Sequence, residues 1–148
     1  MPIVFETGID LPQSPAEVFA FLDDFKKVPL WHTRCEGIAK QGQGPNALGD
    51  KLRYAYFEGG KHRIMDGMIT AYEPDRHLGY RYFDRMMQAF IEIHLEPAGT
   101  GTRLTHRVEL VPHSLLAKLL SPMFRYKLPR QITTAMGNIK RVLAETHS

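Results

Sequence analysis

Apolar and polar residues alternate at the start of the chain. Phe5, Thr7, Ile9 and Leu11 are interleaved with Glu6, Gly8 and Asp10, the two-residue period of a strand with one buried face. Ser14-Pro15-Ala16-Glu17 then combines an N-cap hydroxyl, a proline suited to the first helical position and a glutamate placed to close a capping box. A helix is predicted from there, with Val18, Phe19, Leu22 and Phe25 as its apolar stripe. Val28-Pro29-Leu30-Trp31 breaks that pattern and predicts a second, short helix or turn. Gly42, Gly44, Pro45 and Gly49 mark a loop.

Charge complementarity predicts the strand registers in the middle of the chain. With Gly59-Gly60 as a two-residue hairpin turn, Glu58 falls opposite Lys61 and Arg53 opposite Asp66. That register gathers Leu52, Tyr54, Tyr56, Arg63 and Met65 on one face. The same parity adds Gly67, Ile69 and Ala71, and a turn over 73–77 returns Leu78, Tyr80 and Tyr82 to that face. A later hairpin through Pro97-Ala98-Gly99-Thr100-Gly101 pairs Leu95 with Leu104, Glu96 with Arg103 and Glu92 with Arg107. Ile91, Ile93, Leu104, His106, Val108 and Leu110 then share the inner face.

After Pro112 the hydrophobic period changes from that of a strand to that of a helix. A short apolar segment, Leu115 to Leu120, precedes Ser121-Pro122, which reads as N-cap and first helical residue of a closing helix over roughly 122–146. Leu128, Ile132, Ala135, Met136, Ile139, Val142 and Leu143 lie along one side of it, the side that must pack on the sheet. Pro129 falls inside the pattern and predicts a kink or a restart.

A length of 148 residues argues for one domain over 1–148, large enough to bury about two-thirds of its unfolded surface without staples. With 43% hydrophobic and 24% charged residues, the composition excludes a disordered or collagen-like chain. The single cysteine, Cys35, allows no internal disulfide, and Met1-Pro2-Ile3-Val4-Phe5-Glu6 lacks the layout of a signal peptide. No stretch is apolar enough to span a bilayer, so a cytoplasmic location is expected. The net charge of +3 is unevenly placed: residues 114–148 hold six bases (Lys118, Arg125, Lys127, Arg130, Lys140, Arg141) against one acid, Glu145. A solvated helix face and an anionic membrane or partner surface both accommodate that excess. No nucleic-acid motif accompanies it, so no nucleic-acid partner is expected.

Strand, two short helices, a long antiparallel meander and a final long helix: this order resembles the START-like superfamily, also called SRPBCC. Its fold is the helix grip, an α+β arrangement in which a curved antiparallel sheet wraps around a long C-terminal helix. The resemblance covers essentially the whole chain. It is nearest to the polyketide cyclase/dehydrase branch, on Leu11-Pro12-x-Ser14-Pro15-x-x-Val18-Phe19, Pro29-x-Trp31, Gly67-Met68-Ile69, Glu73-Pro74-x-Arg76-x-Leu78 and Gly101-Thr102-Arg103-Leu104-Thr105. These pieces mark turns and packing rather than a substrate. The resemblance implies a deep cavity between sheet and helix, used across the superfamily for lipids, sterols, plant hormones or polyketides, by enzymes and by pure binding proteins alike.

The residues agree with a cavity, because polar tips among aliphatics suit a ligand pocket better than a dry core. Trp31, Tyr54, Tyr56, Met65, Ile69, Tyr80, Tyr82, Ile91, Ile93, Val108 and Met136 are the expected ligand-binding residues. His106 and Arg63 are the candidates for chemistry. An inward neutral imidazole serves as a base or simply as a hydrogen-bonded cavity histidine; Arg63 holds a carboxylate or enolate oxygen or points to solvent at the sheet rim. The phenols donate to ligand oxygens while their rings stack. Trp31-His32 lies where the superfamily places a pocket entrance or floor, while Trp31 taken alone suits a core role better.

His32 and Cys35 have no second ligand pair, and His62, His77, His94, His106, His113 and His147 are scattered over different elements. Neither a metal site nor a cofactor is expected. There is no phosphate loop, no Gly-x-Ser-x-Gly elbow and no Cys-x-x-Cys. The preferred function is binding or transport of a hydrophobic, aromatic or polycyclic small molecule. The alternative is a polyketide cyclase/aromatase in which the pocket folds a poly-β-keto chain, His106 or a tyrosine moves a proton and Arg63 steadies the enolate. A third, membrane-facing reading resembles the ubiquinone-binding relatives and docks through the basic C-terminal helix. A homodimer stays open.

Overall fold

The computed structural model describes residues 2–146; His147 lies outside them. β1 (Ile3–Leu11) leads into Ser14, whose Oγ accepts from the Glu17 amide at 3.2 Å while Glu17 Oε1 accepts from the Ser14 amide at 3.5 Å. This reciprocal cap starts α1 (Pro15–Asp23). A 3-10 turn (Phe25–Lys27) and α2 (Val28–Trp31) follow. The meander consists of β2 (Cys35–Lys40), β3 (Lys51–Glu58), β4 (Lys61–Glu73), β5 (His77–Phe83), β6 (Met87–Ala98) and β7 (Gly101–Pro112). α3 (Leu115–Leu119) and α4 (Ser121–Thr146) end the chain.

Among the described residues the seven strands form one antiparallel sheet in the order β1-β7-β6-β5-β4-β3-β2, with α4 packed against β1 and α2. This is the α+β architecture expected of a START-like chain. The registers follow the charge pairing: Glu58 opposes Lys61, Arg53 opposes Asp66, and Leu95, Glu96 and Glu92 oppose Leu104, Arg103 and Arg107. Gly59 and Gly60 turn the β3–β4 hairpin with φ of 59° and 77°, the left-handed values that a two-residue type I′ turn needs at both positions.

Four expectations change in the tertiary structure. A bulge between Ile69 and Ala71 inserts one residue into β4 and reverses the parity beyond it. Ala71 therefore sits beside Gly79 on the outer face, and Tyr72 turns inward, edge-on to Phe19 at 5.5 Å between ring centroids. Several opposed charges also choose other partners: Arg103 pairs with Asp10 at 3.3 Å, Arg107 with Glu109 at 3.1 Å, Glu92 with His77 and Glu58 with Arg34. Ser121 is no N-cap. The Leu120 carbonyl accepts from Met123 at 3.0 Å and Phe124 at 3.2 Å, so the backbone starts α4 itself, while Ser114 caps α3. Finally, of the kink or restart expected at Pro129 the restart does not occur, because α4 is one helix across it.

Candidate functional site

The two halves of α4 have different tasks. Ala135, Met136, Ile139 and Leu143 of its second half are buried in the core, while Met123, Phe124, Lys127, Leu128, Gln131 and Ile132 of its first half line a cavity of about 390 Å³. The opposite wall comes from the inner faces of β3 to β7, and α1, the 3-10 turn and α2 contribute Leu22, Phe25, Val28 and Trp31. Asn138 Nδ2 donates to the Trp31 carbonyl at 3.2 Å and ties α4 to α2 beside it.

Trp31, Tyr54, Tyr56, Met65, Tyr80, Tyr82, Ile91, Ile93, Val108, His106 and Arg63 all line this space. Ile69 and Met136 do not. Ile69 is buried where its backbone is held by the loop after β2, its carbonyl accepting from Gly49 at 2.8 Å and its amide donating to Asp50 at 2.9 Å. Met136 belongs to the half of α4 that packs solidly.

Strand alternation brings four tyrosines onto one wall as a ladder. The Tyr56 and Tyr54 rings stack at 5.2 Å, Tyr54 and Tyr82 approach to 4.7 Å, and Tyr82 and Tyr80 stack at 6.2 Å. Burial pushes the ionisation of Tyr54, Tyr80 and Tyr82 well above the usual phenol range. Tyr54 Oη and His32 Nε2 share a hydrogen bond at 3.0 Å. Burial, with Arg34 adding to it, lowers the His32 pKa to about 4. Burial and the neighbouring His32 lower that of His106 to about 4 as well, so both imidazoles are neutral at pH 7.

Two buried polar atoms of the lining have no hydrogen-bond partner among the described residues: Trp31 Nε1 and His106 Nδ1. Each such atom carries a desolvation cost that a ligand oxygen or hydroxyl would relieve. Charge enters at the Gly59-Gly60 end. Glu58 binds Arg34 and reaches Lys127 at 4.0 Å, and Arg63, opposite Tyr56 in the register, is exposed. The cavity is therefore apolar with a few polar tips in its interior and carries charged groups at its rim.

Arg34, Glu58, Lys127 and Gln131 escaped the sequence reading because each belongs to a different local pattern that converges only in three dimensions. The inward parity of Glu58, two residues beyond Tyr56, was the available signal. In the sequence His32 stands out only beside Trp31 and as a histidine three residues before Cys35, and neither pattern points to Tyr54.

Residues 2–144 match the sequence profile of the family described as polyketide cyclase/dehydrase and lipid transport. No curated protein sequence matches the chain significantly. Among solved structures, an aromatase/cyclase from Streptomyces sp. R1128 superposes with a TM-score of 0.83 at 12% identity, covering 100% of this chain and 97% of that one. A START superfamily protein from Mycobacterium smegmatis gives 0.78 at 12% identity, covering 97% and 98%. Ara h 8.0201 gives 0.65 at 18% identity, covering 94% and 98%. Similarity at these identities shows a common fold, and a common fold does not carry a common ligand.

Proposed function

The chain belongs to the polyketide cyclase/dehydrase and lipid transport family, and on that premise we propose that it binds and carries an uncharged aromatic or polycyclic molecule in the cavity. One observation carries this reading: the tyrosine ladder shares a cavity of about 390 Å³ with two unpartnered polar atoms, Trp31 Nε1 and His106 Nδ1. That volume lies within the range of small-molecule pockets. The rings supply stacking area, and the polar atoms supply the few directed contacts that fix orientation. The test is native mass spectrometry of freshly purified protein together with titration of an apolar fluorescent probe. A co-purifying small molecule, or one probe bound per chain and displaced by aromatic competitors, is the expected result; an empty chain that binds no probe refutes the reading.

The second reading, a cyclase/aromatase, draws on the Tyr54–His32 hydrogen bond, which holds a phenol in a fixed orientation beside the space a substrate would occupy, although His32, with a pKa of about 4, is as weak a base as His106. Against His106 as the base stands its pKa of about 4, which keeps the imidazole neutral but leaves it little affinity for a proton. Arg63, exposed at the rim, suits a terminal carboxylate better than a deeply held enolate.

For delivery we propose an anionic membrane surface. Leu115, Leu116 and Leu119 are exposed beside Lys118 and Arg125, and the adjoining Leu120 and Met123 line the cavity. Apolar residues flanked by bases are what an anionic bilayer interface attracts. Leu116→Glu with Leu119→Glu should abolish sedimentation with phosphatidylserine vesicles, and equal sedimentation of both proteins would refute the proposal.

A further inference from the structure

On the face of the sheet opposite the cavity, β5 and β6 bring together three side chains that the sequence scatters. His77 opposes His94 in the register, and Glu92 opposes Gly79. The Leu95 amide donates to the Arg76 carbonyl at 2.7 Å, which makes the next pair, His77 and His94, a non-hydrogen-bonded one. In such pairs the side chains come closest. The two imidazoles stack with centroids 4.1 Å apart and planes 17° from parallel.

Glu92 reaches His77 because nothing stands in its way: a Cβ on Gly79 would lie 3.0 Å from Glu92 Oε2. The carboxylate contacts His77 Nε2, while Arg107, opposite Glu92 on β7, turns to Glu109. Donor atoms of His77, Glu92 and His94 all lie within 4.8 Å of one another.

We propose that His77, Glu92 and His94 form a site for a borderline divalent cation of the Zn²⁺ class. Two imidazoles and a carboxylate are a ligand set that Zn²⁺ accepts at about 2.0–2.2 Å, with donors roughly 3.3 Å apart around the ion. His77 and Glu92 are already in contact, and the exposed His94 closes the remaining gap by turning its ring. The ion would sit between His77 Nε2 and the Glu92 carboxylate, keep an open position for water and clip β5 to β6. Only the folded register presents all three donors, so binding would stabilise the strands whose inner faces carry Tyr80 and Ile93.

The site is independent of the cavity and is tested without a cavity ligand. Zn²⁺ is titrated calorimetrically into the full chain, free of any histidine tag, and the melting temperature is followed with and without the ion. The expected result is one Zn²⁺ per chain with a rise in melting temperature, and an affinity at least about tenfold weaker in both His77→Gln and His94→Gln. His62→Gln, at a histidine paired with Glu36 elsewhere on the sheet, leaves binding unchanged. Because His94 is exposed, its variant keeps the fold and the test stands even if His77→Gln is unstable. Absence of a one-to-one isotherm, or unchanged affinity in His94→Gln, overturns the proposal.

Discussion

His106 concentrates the residue-scale physics. It is 3% exposed and flanked by Leu104 and Val108 on its own face, with Ile93 opposite. Without a carboxylate partner, burial disfavours its cation and brings its pKa to about 4. Ring-proton NMR should therefore show a midpoint near pH 4, and a midpoint at or above 6.5 would place the ring in water or in an ion pair. If the imidazole only orients a ligand, His106→Gln keeps the affinity within about threefold, since the amide offers a similar donor and acceptor. A loss of turnover of about a hundredfold with affinity retained would favour the cyclase reading. Tyr82→Trp and Met65→Trp add volume to the lining and should weaken probe binding on the order of tenfold, with a smaller effect on folding. Unchanged binding in both variants would move the ligand site elsewhere.

Two glycines separate close approach from lost propensity at the scale of elements. At Gly101, where β7 begins beside the end of β1, a Cβ would stand 2.0 Å from the Leu11 carbonyl oxygen. Backbone cannot retreat as a side chain does, so Gly101→Ala should cost at least about 2 kcal/mol in urea denaturation. Gly137, inside α4, has nothing within 4 Å of its Cβ position. There Gly137→Ala removes only backbone freedom from the unfolded chain and should stabilise by about 0.5–1 kcal/mol. A gain at position 101 or a loss at position 137 would contradict this account of the two elements.

The cavity makes acid stability a property of the whole molecule. His106 and His32 have folded pKa values near 4 against the ordinary histidine value of 6.5, so below pH 6.5 the unfolded chain takes up protons that the native state refuses. Their contribution to stability is complete above pH 6.5 and is lost as pH falls from 6.5 towards 4. For the buried His106 alone the loss approaches about 3 kcal/mol. Denaturant midpoints measured at pH 7.5, 5.5 and 4.5 should fall steadily, and His106→Gln should flatten the slope; an equal slope in the variant would deny His106 its role. No helix among the described residues is long and apolar enough to cross a membrane.

Local pattern was enough for the elements that local physics controls. Ser14 and Glu17 announce their cap within four residues, Gly59-Gly60 leaves a tight hairpin as the natural turn, and the period of two places Tyr54, Tyr56, Tyr80, Tyr82 and His106 on the inner face. β2 was not foreseen, because Cys35-Glu36-Gly37-Ile38-Ala39-Lys40 lacks a clean alternation and is ordered by pairing with β3. The bulge after Ile69, the outward Ala71 and the inward Tyr72 likewise depend on the neighbouring strand. The rim around Arg34 and Glu58 and the His77–Glu92–His94 cluster join residues far apart in the chain, and only strand pairing determines which of them meet. The sequence by itself thus determined the order of most elements and most of the inward face, since burial and turn chemistry act over a few residues. Tertiary structure alone decided where α4 leaves space and where it fills it, because that depends on how a helix with one continuous apolar stripe meets a sheet.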